Sequence, residues 1–402
     1  MEDWKEYRLG EMIQCNPQVK LEKGKSYNLI DIDSIEIGSR YVKGKELTVY
    51  DGQSGCHFQN GDTVMARITP CLENGKIAQV QCESQKGFGS TELFVFRGTE
   101  NKTDSDYVFN LMSMQFIRNL AANSMTGASG RQRADLGFIK RIKWNFPPLP
   151  TQQKIASILS AYDNLIQNYK KQIEALQTGA CELYKEWFVR FRFPGYKNSR
   201  FENGIPEGWK IERIGNIGEV IGGGTPSTEN EEYWDGDIPW LSPVDLSDNT
   251  NVYVSRGGKN ITKLGLQKSS AKMMPKDTVL LSSRAPVGYV ALAKNPICTN
   301  QGFKSVVCNT SVIQPIYLYF YFRMNKNYLQ SIASGATFPE LSGSMMKKLK
   351  VLLPQMELQK EFSKKANIFI SKAELLSEQI TNLTQQRDLL LPRLMRGALE
   401  VH

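Results

Sequence analysis

One stretch of heptad-spaced apolar residues limits what this chain can fold into. It runs from Thr151 to Arg190, and its apolar residues recur at alternating steps of four and three: Ile155, Leu159, Tyr162, Ile166, Tyr169, Ile173, Leu176, Ala180, Leu183 and Trp187. This 3.5-residue period is typical of a coiled-coil seam, which is narrower than the apolar stripe of an ordinary surface helix. At 1.5 Å per residue, roughly 39 residues form a helix about 58 Å long. A helix of that length predicts a partner helix.

A second seam near the carboxyl end supplies the partner. Its members keep the same alternation, with Arg387 as the one polar interruption: Phe362, Ala366, Phe369, Ala373, Leu376, Ile380, Leu383, Leu390 and Leu394. Two seams in one chain can bury each other, so we expect an antiparallel pair that holds one globular domain at each end of a rod. The alternative is two unrelated amphipathic core helices, although core helices rarely keep a strict heptad for so long.

The two halves of the chain repeat one plan. Trp4 and Trp209 open similar segments, and each half then carries an Asp-Thr-Val strand that leads to an arginine, Arg67 or Arg284. Later in each half, a helix candidate leads through a Gly/Ser-rich turn, a short basic strand and proline to a Gln-Lys step that opens the long helix. The helix candidates are Tyr107 to Asn123 and Tyr317 to Ala333. The chain is therefore predicted to contain an internal duplication.

These patterns predict an α+β fold with a pseudo-twofold internal repeat, in which two globular domains are separated by two long antiparallel helices that form a coiled coil. The expected segments are a first globular domain at 1–150, a first long helix at 151–193, a linker at 194–208, a second globular domain at 209–355 and a second long helix at 356–396. Proline and glycine at Pro194, Gly195 and Pro206 stop the first helix and mark the linker.

Composition excludes several classes of function. The chain has seven cysteines without a Cys-x-x-Cys pair and only two histidines, so neither a zinc site, a disulfide framework nor a Ser-His-Asp triad is expected. The glycine-rich run that begins at Gly222 lacks the Gly-Lys-Ser/Thr of a phosphate-binding loop. No run approaches 18 apolar residues and the amino terminus is charged, which predicts a cytoplasmic protein without a membrane span.

Polar and basic residues in the turns of both halves form a candidate DNA-binding set. Arginine can grip guanine with two hydrogen bonds and Asn or Gln can bind adenine, whereas Lys, Ser and Thr hold phosphates. In the first half the candidates are Arg67, Thr69, Lys76, Ser129, Arg131, Gln132, Arg133 and Lys140. In the second half they are Thr225, Ser227, Thr228, Ser282, Ser283, Arg284, Asn300, Gln301, Lys304 and Thr337. Each alone is also typical of a solvated turn, but their recurrence and the net charge of +9 favour a surface that binds DNA.

Aromatic residues cluster at the end of the first seam. They are Tyr184, Trp187, Phe188, Phe191 and Phe193. Two interpretations stay open: the cluster caps the helix pair inside this chain, or Tyr184, Trp187, Phe188 and Phe191 anchor another subunit, since Trp and Tyr are enriched in interface hot spots.

Several stretches together resemble the DNA-specificity subunit of type I restriction-modification systems, and the resemblance covers the whole length. The stretches are Ala66 to Ala78, Gly89 to Phe94, Leu183 to Val189, Gly223 to Thr228 with Tyr233-Trp234 and Ile238 to Trp240, Thr299 to Lys304, and Arg387 to Arg393. The resemblance implies two target-recognition domains that bind a bipartite double-stranded DNA site, and no catalytic activity in this chain. It also implies two modification subunits, which carry S-adenosylmethionine and methylate adenine, and two ATP- and Mg²⁺-dependent restriction subunits as partners; no cofactor is expected in this chain itself.

Two other function classes remain as alternatives. A self-contained methyltransferase or nuclease would need a cofactor loop and an acidic metal cluster, which the sequence does not offer. A coiled-coil adaptor would use the globular ends to bind proteins, and DNA binding tested together with a partner subunit separates it from a DNA-recognition scaffold.

Overall fold

The computed structural model describes residues 3–127, 132–247, 249, 251–334 and 339–401. The chain forms two compact units, one of residues 1–168 together with 379–402 and the other of residues 169–378. Each unit contains one globular domain and one segment of each long helix. The predicted α+β class, the internal repeat and the two long helices are confirmed.

The first domain combines strands with short helices. Its strands are β1 (Lys5–Arg8), β2 (Ile13–Cys15), β3 (Ser26–Ile30), β4 (Tyr41–Val42), β5 (Leu47–Val49), β6 (Cys56–Gln59), β7 (Thr63–Ala66), β8 (Ile77–Val80), β9 (Lys86–Gly89), β10 (Leu93–Gly98) and β11 (Lys143–Phe146). Its helices are α1 (Leu9–Met12), α2 (Ser105–Ser113), α3 (Gln115–Asn123) and α4 (Leu136–Arg141). The strands form a five-stranded sheet in the order β2-β10-β7-β8-β4, a four-stranded sheet in the order β5-β3-β9-β6, and the pair β1-β11.

Strand β7 is buried on both faces because a different core covers each one. Met65 belongs to a cluster with Ile117 of α3, whereas Val64 belongs to a cluster with Phe58 of β6. Successive side chains of a strand point to opposite faces, so a strand between two cores is apolar along its whole length. Arg67 follows β7 directly, so this buried strand fixes where Arg67 leaves the sheet.

The second domain repeats the main sheet of the first. Its strands are β12 (Phe201–Glu202), β13 (Ile205–Pro206), β14 (Lys210–Arg213), β15 (Gly218–Gly222), β16 (Trp234–Leu241), β17 (Tyr253–Val254), β18 (Lys259–Ile261), β19 (Val279–Leu281), β20 (Val290–Ala293), β21 (Cys298–Thr299), β22 (Lys304–Cys308) and β23 (Lys350–Leu353). Its α-helices are α6 (Ile214–Ile217), α7 (Lys263–Gln267), α8 (Pro315–Met324), α9 (Lys326–Ile332) and α10 (Gly343–Lys348), with 3₁₀ turns at Tyr196–Asn198, Glu231–Tyr233 and Pro243–Leu246. The order β15-β22-β19-β20-β17 matches that of the first five-stranded sheet, and β14-β23 matches β1-β11. The second layer differs, since it is the three-stranded sheet β18-β16-β21; the remaining strands form the pair β12-β13.

The helix candidates late in each half are each broken into two helices. The first breaks at Met114, which caps both α2 and α3, and the second breaks at Asn325 between α8 and α9. Met114 has φ −59° and ψ 132° and Asn325 has φ −102° and ψ 19°, and both lie outside the α-helical region, so neither continues a helix. The expectation of one continuous helix in each half was therefore wrong.

The long helices are α5 (Leu149–Tyr184) and α11 (Met356–Met395), and a π-helical turn at Lys185–Val189 continues α5. Most of the predicted seam of α5 is buried. Toward its end Ala180 and Trp187 of the seam stay buried, and Tyr184 and Phe188 beside the seam are buried as well. In the part of the chain that the structure describes, no helix is both long and apolar enough to cross a membrane.

Each unit pairs its two helix segments. In the second unit, Tyr184 contacts Phe362 at 5.8 Å between ring centroids and Gly179 faces the ring of Phe369, so the later residue of α5 lies beside the earlier residue of α11 and the segments are antiparallel. In the first unit, Arg387 of α11 donates to Asp163 of α5 at 2.7 Å. The polar interruption in the second seam thus has a buried carboxylate as its partner.

Two buried glutamines attach the long helices to their domains in the same way. Gln152 accepts a hydrogen bond from the main-chain nitrogen of Asp104 at 3.1 Å and donates to the carbonyl of Pro147 at 2.9 Å. Gln359 accepts from the nitrogen of Gln314 at 3.0 Å and donates to the carbonyl of Pro354 at 2.8 Å. Asp104 and Gln314 are the N-caps of α2 and α8, so Gln152 and Gln359 mark a repeated joint between helix and domain. Gln359 is the glutamine of the second Gln-Lys step, whereas Gln152 lies one residue before the first step, Gln153-Lys154.

Candidate nucleic-acid interface

Arg67 lines an open cavity of about 470 Å³ in the first domain. Its guanidinium carbon lies 4.9 Å from the centre of the Phe94 ring, an arrangement that fixes the plane of the group. Its Nε is buried and has no hydrogen-bond partner among the described residues. A fixed guanidinium with an unused donor favours an acceptor from outside the chain, because burying a donor without a partner costs free energy.

Polar side chains line the rest of this cavity. Asn16, Gln18, Lys20 and His57 contribute to its wall. The Nδ1 of His57 lies 2.9 Å from the carbonyl oxygen of Val19 and therefore carries the hydrogen. No carboxylate side chain lines the cavity in the described structure, so Lys20 and Arg67 give it a positive character suited to phosphate or to the acceptor edge of a base.

A loop from later in the chain brings further candidates next to Arg67. The nitrogen of Thr69 donates to the carbonyl of Gln132 at 3.0 Å, and Ala134 donates to the carbonyl of Arg67 at 2.8 Å. Arg133 forms a forked pair with Glu92 at 2.5 to 3.1 Å. Hydrogen bonding from Arg133 lowers the pKa of Glu92, and the charges of Arg133 and Arg67 lower it further. The structure thus brings Arg67, Thr69, Gln132 and Arg133 together.

The other candidates of the first half are placed differently. The ammonium of the half-buried Lys76 donates to the carbonyl of Ile32 at 2.8 Å and lies 3.7 Å from the exposed Asp33, so both of these partners are inside the chain. Lys140 lies on α4 beside Gly10, separate from the loop of Gln132. Ser129 and Arg131, like Thr337 in the second half, lie outside the described residues, and their roles stay predictions.

In the second domain several candidates bond to one another or to the main chain. Thr225 donates to the side chain of Gln301, and Asn300 accepts from the nitrogen of Gly302 at 2.8 Å. Lys304 lies 3.3 Å and Arg284 3.8 Å from Glu340. Ser227 and Thr228 are exposed on the turn that follows β15, and the carbonyl of Ser227 accepts from Trp234. A cluster of polar groups thus surrounds the turns where β15 ends and β22 begins.

Ser282 and Ser283 are completely buried. Ser282 donates to the carbonyl of Pro286 at 2.7 Å and Ser283 donates to the carbonyl of Gly302 at 3.1 Å. These bonds explain both serines without DNA, so a DNA contact at either stays a prediction that burial disfavours.

The match between Arg67 and Arg284 is displaced by one residue. Arg67 donates its main-chain N–H to Glu92 and accepts from Ala134, and the residue with the equivalent pair of bonds is Ser283, which donates to Gly302 and accepts from Leu341. The two Asp-Thr-Val motifs therefore do not occupy the same register of the repeated sheet. A one-residue shift reverses the side to which a strand residue points, so an arginine at the next position does not reproduce the geometry of Arg67.

The aromatic cluster lies in the core of the second unit. Tyr184, Trp187 and Phe188 are 4 to 6% exposed, and Phe188 lies 4.8 Å from Tyr317 and 5.0 Å from Phe362 between ring centroids. Phe191 is half-buried against Trp209 at 5.5 Å. The structure gives this cluster a role inside the chain, and its role in binding another subunit stays a prediction.

Sequence reasoning missed exposed apolar residues on both long helices. Ile158 and Leu165 are exposed on α5, and Ile368, Leu375 and Leu389 are exposed on α11. Within each helix they are spaced by seven residues or a multiple of seven, which was the available signal. Exposed apolar residues in such an arrangement are typical of a surface that binds another protein.

Comparison with known proteins places both halves in one family. Residues 1–178 and 206–385 each match the family described as "Type I restriction modification DNA specificity domain". The chain is 44% identical over 179 residues to the MjaIX specificity subunit of Methanocaldococcus jannaschii, a match that spans 44% of this chain and 41% of that protein. It is 25% identical over 467 residues to the HindI specificity subunit of Haemophilus influenzae, with 99% of this chain and 100% of that protein covered.

A solved structure shares the fold. The S subunit of a type I restriction-modification system from M. genitalium aligns over 97% of this chain and 96% of its own length, with a TM-score of 0.58 at 15% identity. Because the family match extends over both halves of the repeat, the chain belongs to the type I restriction-modification DNA specificity family.

Proposed function

We propose that this chain is the non-catalytic DNA-recognition subunit of a type I restriction-modification complex and that it binds a bipartite site on double-stranded DNA. The observation that carries the proposal is the family match to both halves of the duplication. One recognition domain for each half-site follows from having two copies of the same domain. We expect the protein to act in the cytoplasm, where chromosomal DNA is accessible.

The two half-sites would differ in sequence. The surfaces that the copies offer are not the same, since Arg67 in the first domain corresponds to Ser283 in the second. Direct recognition of bases depends on which side chains reach the base edges. Two copies with different side chains in the same place would therefore bind different bases.

Arg67 is the residue we expect to contact a base in the first half-site. Its planar guanidinium can donate two parallel hydrogen bonds to O6 and N7 of guanine, and its stacking on Phe94 holds that plane in advance. The alternative partner is a backbone phosphate, which would contribute to affinity without sequence preference.

The partner proteins are expected on the long helices. The exposed residues Ile158 and Leu165 on α5, together with Ile368, Leu375 and Leu389 on α11, suit helices of modification subunits. Two modification subunits would supply S-adenosylmethionine and the adenine methyltransferase activity, and two restriction subunits would supply ATP- and Mg²⁺-dependent cleavage. This chain alone would neither methylate nor cut DNA.

The test compares variants of the complex with the modification subunit. Arg67→Ala should weaken DNA binding by about 1–3 kcal/mol and relax the methylated motif in one half-site only. Arg67→Lys keeps the positive charge but loses the two parallel N–H donors of the guanidinium. If Arg67 binds guanine, this variant should also relax the methylated motif. If Arg67 binds phosphate, the motif should stay nearly unchanged. Arg141→Ala, an exposed arginine at the end of α4, is the control.

Three results would contradict the proposal. Turnover by the pure chain with S-adenosylmethionine, ATP and Mg²⁺ would assign catalysis to it. Failure of the complex to bind duplex DNA would favour a protein-binding adaptor. An unchanged motif and affinity in Arg67→Ala would remove Arg67 from the recognition surface.

A further inference from the structure

A cavity of about 530 Å³ lies inside the first unit, where α2 and α3 meet segments of both long helices. Apolar side chains, among them Phe116 and Leu391, form part of its wall, and Arg118 and Arg396 bring positive charge to it. Binding sites for small molecules have this size and are mainly apolar with a few polar groups. The cavity does not include Arg67 or the neighbouring candidates for DNA contact.

The corresponding place in the second unit is filled. Asn110 lies six residues after the N-cap of α2 and lines the cavity, and Phe320 lies six residues after the N-cap of α8. Phe320 packs against Tyr184 at 6.0 Å and Phe362 at 5.5 Å between ring centroids. The space left beside Phe320 is about 10 Å³. The repeated scaffold is therefore closed by an aromatic ring in one copy and open in the other.

The long helices also differ between the copies, with polar residues at the open cavity and apolar residues at the filled place. Asp163 lies as many residues after Gln152 as Ile370 lies after Gln359, so these two positions correspond between the units. In the same way Arg387, counted from Gln359, corresponds to Ala180, counted from Gln152. Asp163 and Arg387 line the open cavity, whereas Ile370 and Ala180 line the small space. Burying polar groups costs free energy, so packing alone does not favour polar residues at these positions.

The polar groups around the cavity are not all satisfied by the chain. Arg118 donates to the carbonyl of Ser113 at 3.3 Å and to the neutral side chain of Gln115, and the exposed Arg396 lies 5.4 Å from the centre of the Phe116 ring; neither has a carboxylate partner within the described ranges. Burial lowers the pKa of Arg118, which reflects the cost of its charge there. The side-chain nitrogen of Asn110 is buried without a hydrogen-bond partner in the described structure. The two arginines thus have no anionic partner, and the side-chain nitrogen of Asn110 has no acceptor, within the described residues. The carboxylates of the lining, Asp163 and Asp388, are paired with Arg387.

We propose that this cavity binds a small organic anion with a flat aromatic or apolar body. The anionic group is held by Arg118 and Arg396, and the body lies against Phe116 and Leu391. Because the lining comes from the domain and from both long helices, a bound ligand stabilises their packing within the first unit. The inference is independent of DNA recognition and extends beyond it.

The probe is 8-anilinonaphthalene-1-sulfonate, and its matched control is N-phenyl-1-naphthylamine, which has the same rings without the sulfonate. Fluorescence titration of the full chain should show one saturable site for the sulfonate. The affinity of the neutral compound should be lower by a factor of at least about ten, as expected for the loss of a charge-assisted hydrogen bond. Equal affinities for the two compounds would overturn the proposal.

Two variants locate the site. Asn110→Phe introduces the ring that the second unit carries and should abolish the saturable binding. Arg118→Gln keeps the cavity and should abolish the preference for the sulfonate. Arg256→Gln, which changes an exposed arginine of the second unit, should leave both affinities unchanged.

Thermal unfolding shows whether the variants fold. A folded Asn110→Phe that binds the sulfonate as tightly as the wild type would overturn the proposal. So would a folded Arg118→Gln that retains the preference. If Asn110→Phe does not fold, the half-buried Arg118 supplies the deciding variant, because its side chain already reaches solvent.

Discussion

Asp163 holds together three elements of the first unit, and its removal should be among the most costly single changes there. Its carboxylate is 3% exposed, and it accepts from Arg40 of the domain at 3.1 Å and from Arg387 of α11 at 2.7 Å. Arg40 is completely buried and also bonds to Asp106 at 2.9 Å and Gln79 at 3.1 Å. Asp163 is thus the carboxylate shared by the two arginines.

The expected loss of stability depends on which partners each arginine keeps. Breaking a buried ion pair by removing one partner costs roughly 3–5 kcal/mol because a buried charge is left behind. In Asp163→Ala, Arg40 keeps Asp106 and Gln79, and Arg387 keeps the exposed Asp388, so we expect the lower end, about 3 kcal/mol. Arg387→Ala leaves Asp163 paired with Arg40 and should cost about 1.5–2 kcal/mol.

The double variant Asp163→Ile with Arg387→Ala tests the reasoning further, because it copies Ile370 and Ala180 of the second unit. Replacing a buried ion pair with apolar residues is often neutral or stabilising. We therefore expect the double variant to be more stable than Asp163→Ala alone.

Hydrogen exchange measured by mass spectrometry is the assay, since two units need not unfold in one transition. Peptides of the first unit should lose protection, and peptides of the second unit serve as the reference in the same sample. The reasoning is refuted if Asp163→Ala changes the free energy of opening in the first unit by less than about 0.5 kcal/mol, the range of ordinary surface substitutions. A double variant less stable than Asp163→Ala would refute the expectation that apolar residues can replace this buried ion pair.

Three further predictions concern single positions. Gln152→Ala and Gln359→Ala should each cost about 2–3 kcal/mol in their own unit only, since each removes hydrogen bonds to buried main-chain groups; exchange in the other unit is the control. Burial raises the pKa of Cys56 and of Cys308 to about 12, so both thiols should resist iodoacetamide at pH 8 until the chain is unfolded, as mass spectrometry would show. Trp187→Ala should destabilise the second unit by about 3–5 kcal/mol; loss of partner binding at full stability would instead support an intersubunit role.

The sequence was sufficient for the features that repeat locally. The heptad spacing predicted α5 and α11 because their partner contacts recur every few residues, and the duplication predicted that each domain would carry the same sheet. The expected helix to residue 193 ended earlier as an α-helix, at Tyr184. Burial of Trp187 and Phe188 in a π-helical turn accounts for the difference, and that packing depends on Phe362, which is far away in the chain.

The features that the sequence could not supply depend on distant contacts. Nothing near Arg387 indicates Asp163, because the two residues are 224 positions apart and meet only when α5 and α11 pair. Motif matching aligned Arg67 with Arg284, although the main-chain bonds align Arg67 with Ser283. A short motif cannot define register, since register is set by the neighbouring strands.

The two copies differ where the scaffold permits it. Gln152 and Gln359 make the same bonds, because a change at either would leave buried main-chain groups without partners. Arg67 faces an open cavity and can differ from its counterpart Ser283 at little cost to the fold. Positions that hold the helices to the domains are therefore constrained together, whereas those beside open space can change in one copy alone. Under the proposed function, such a chain can alter one half of its DNA site without losing the other.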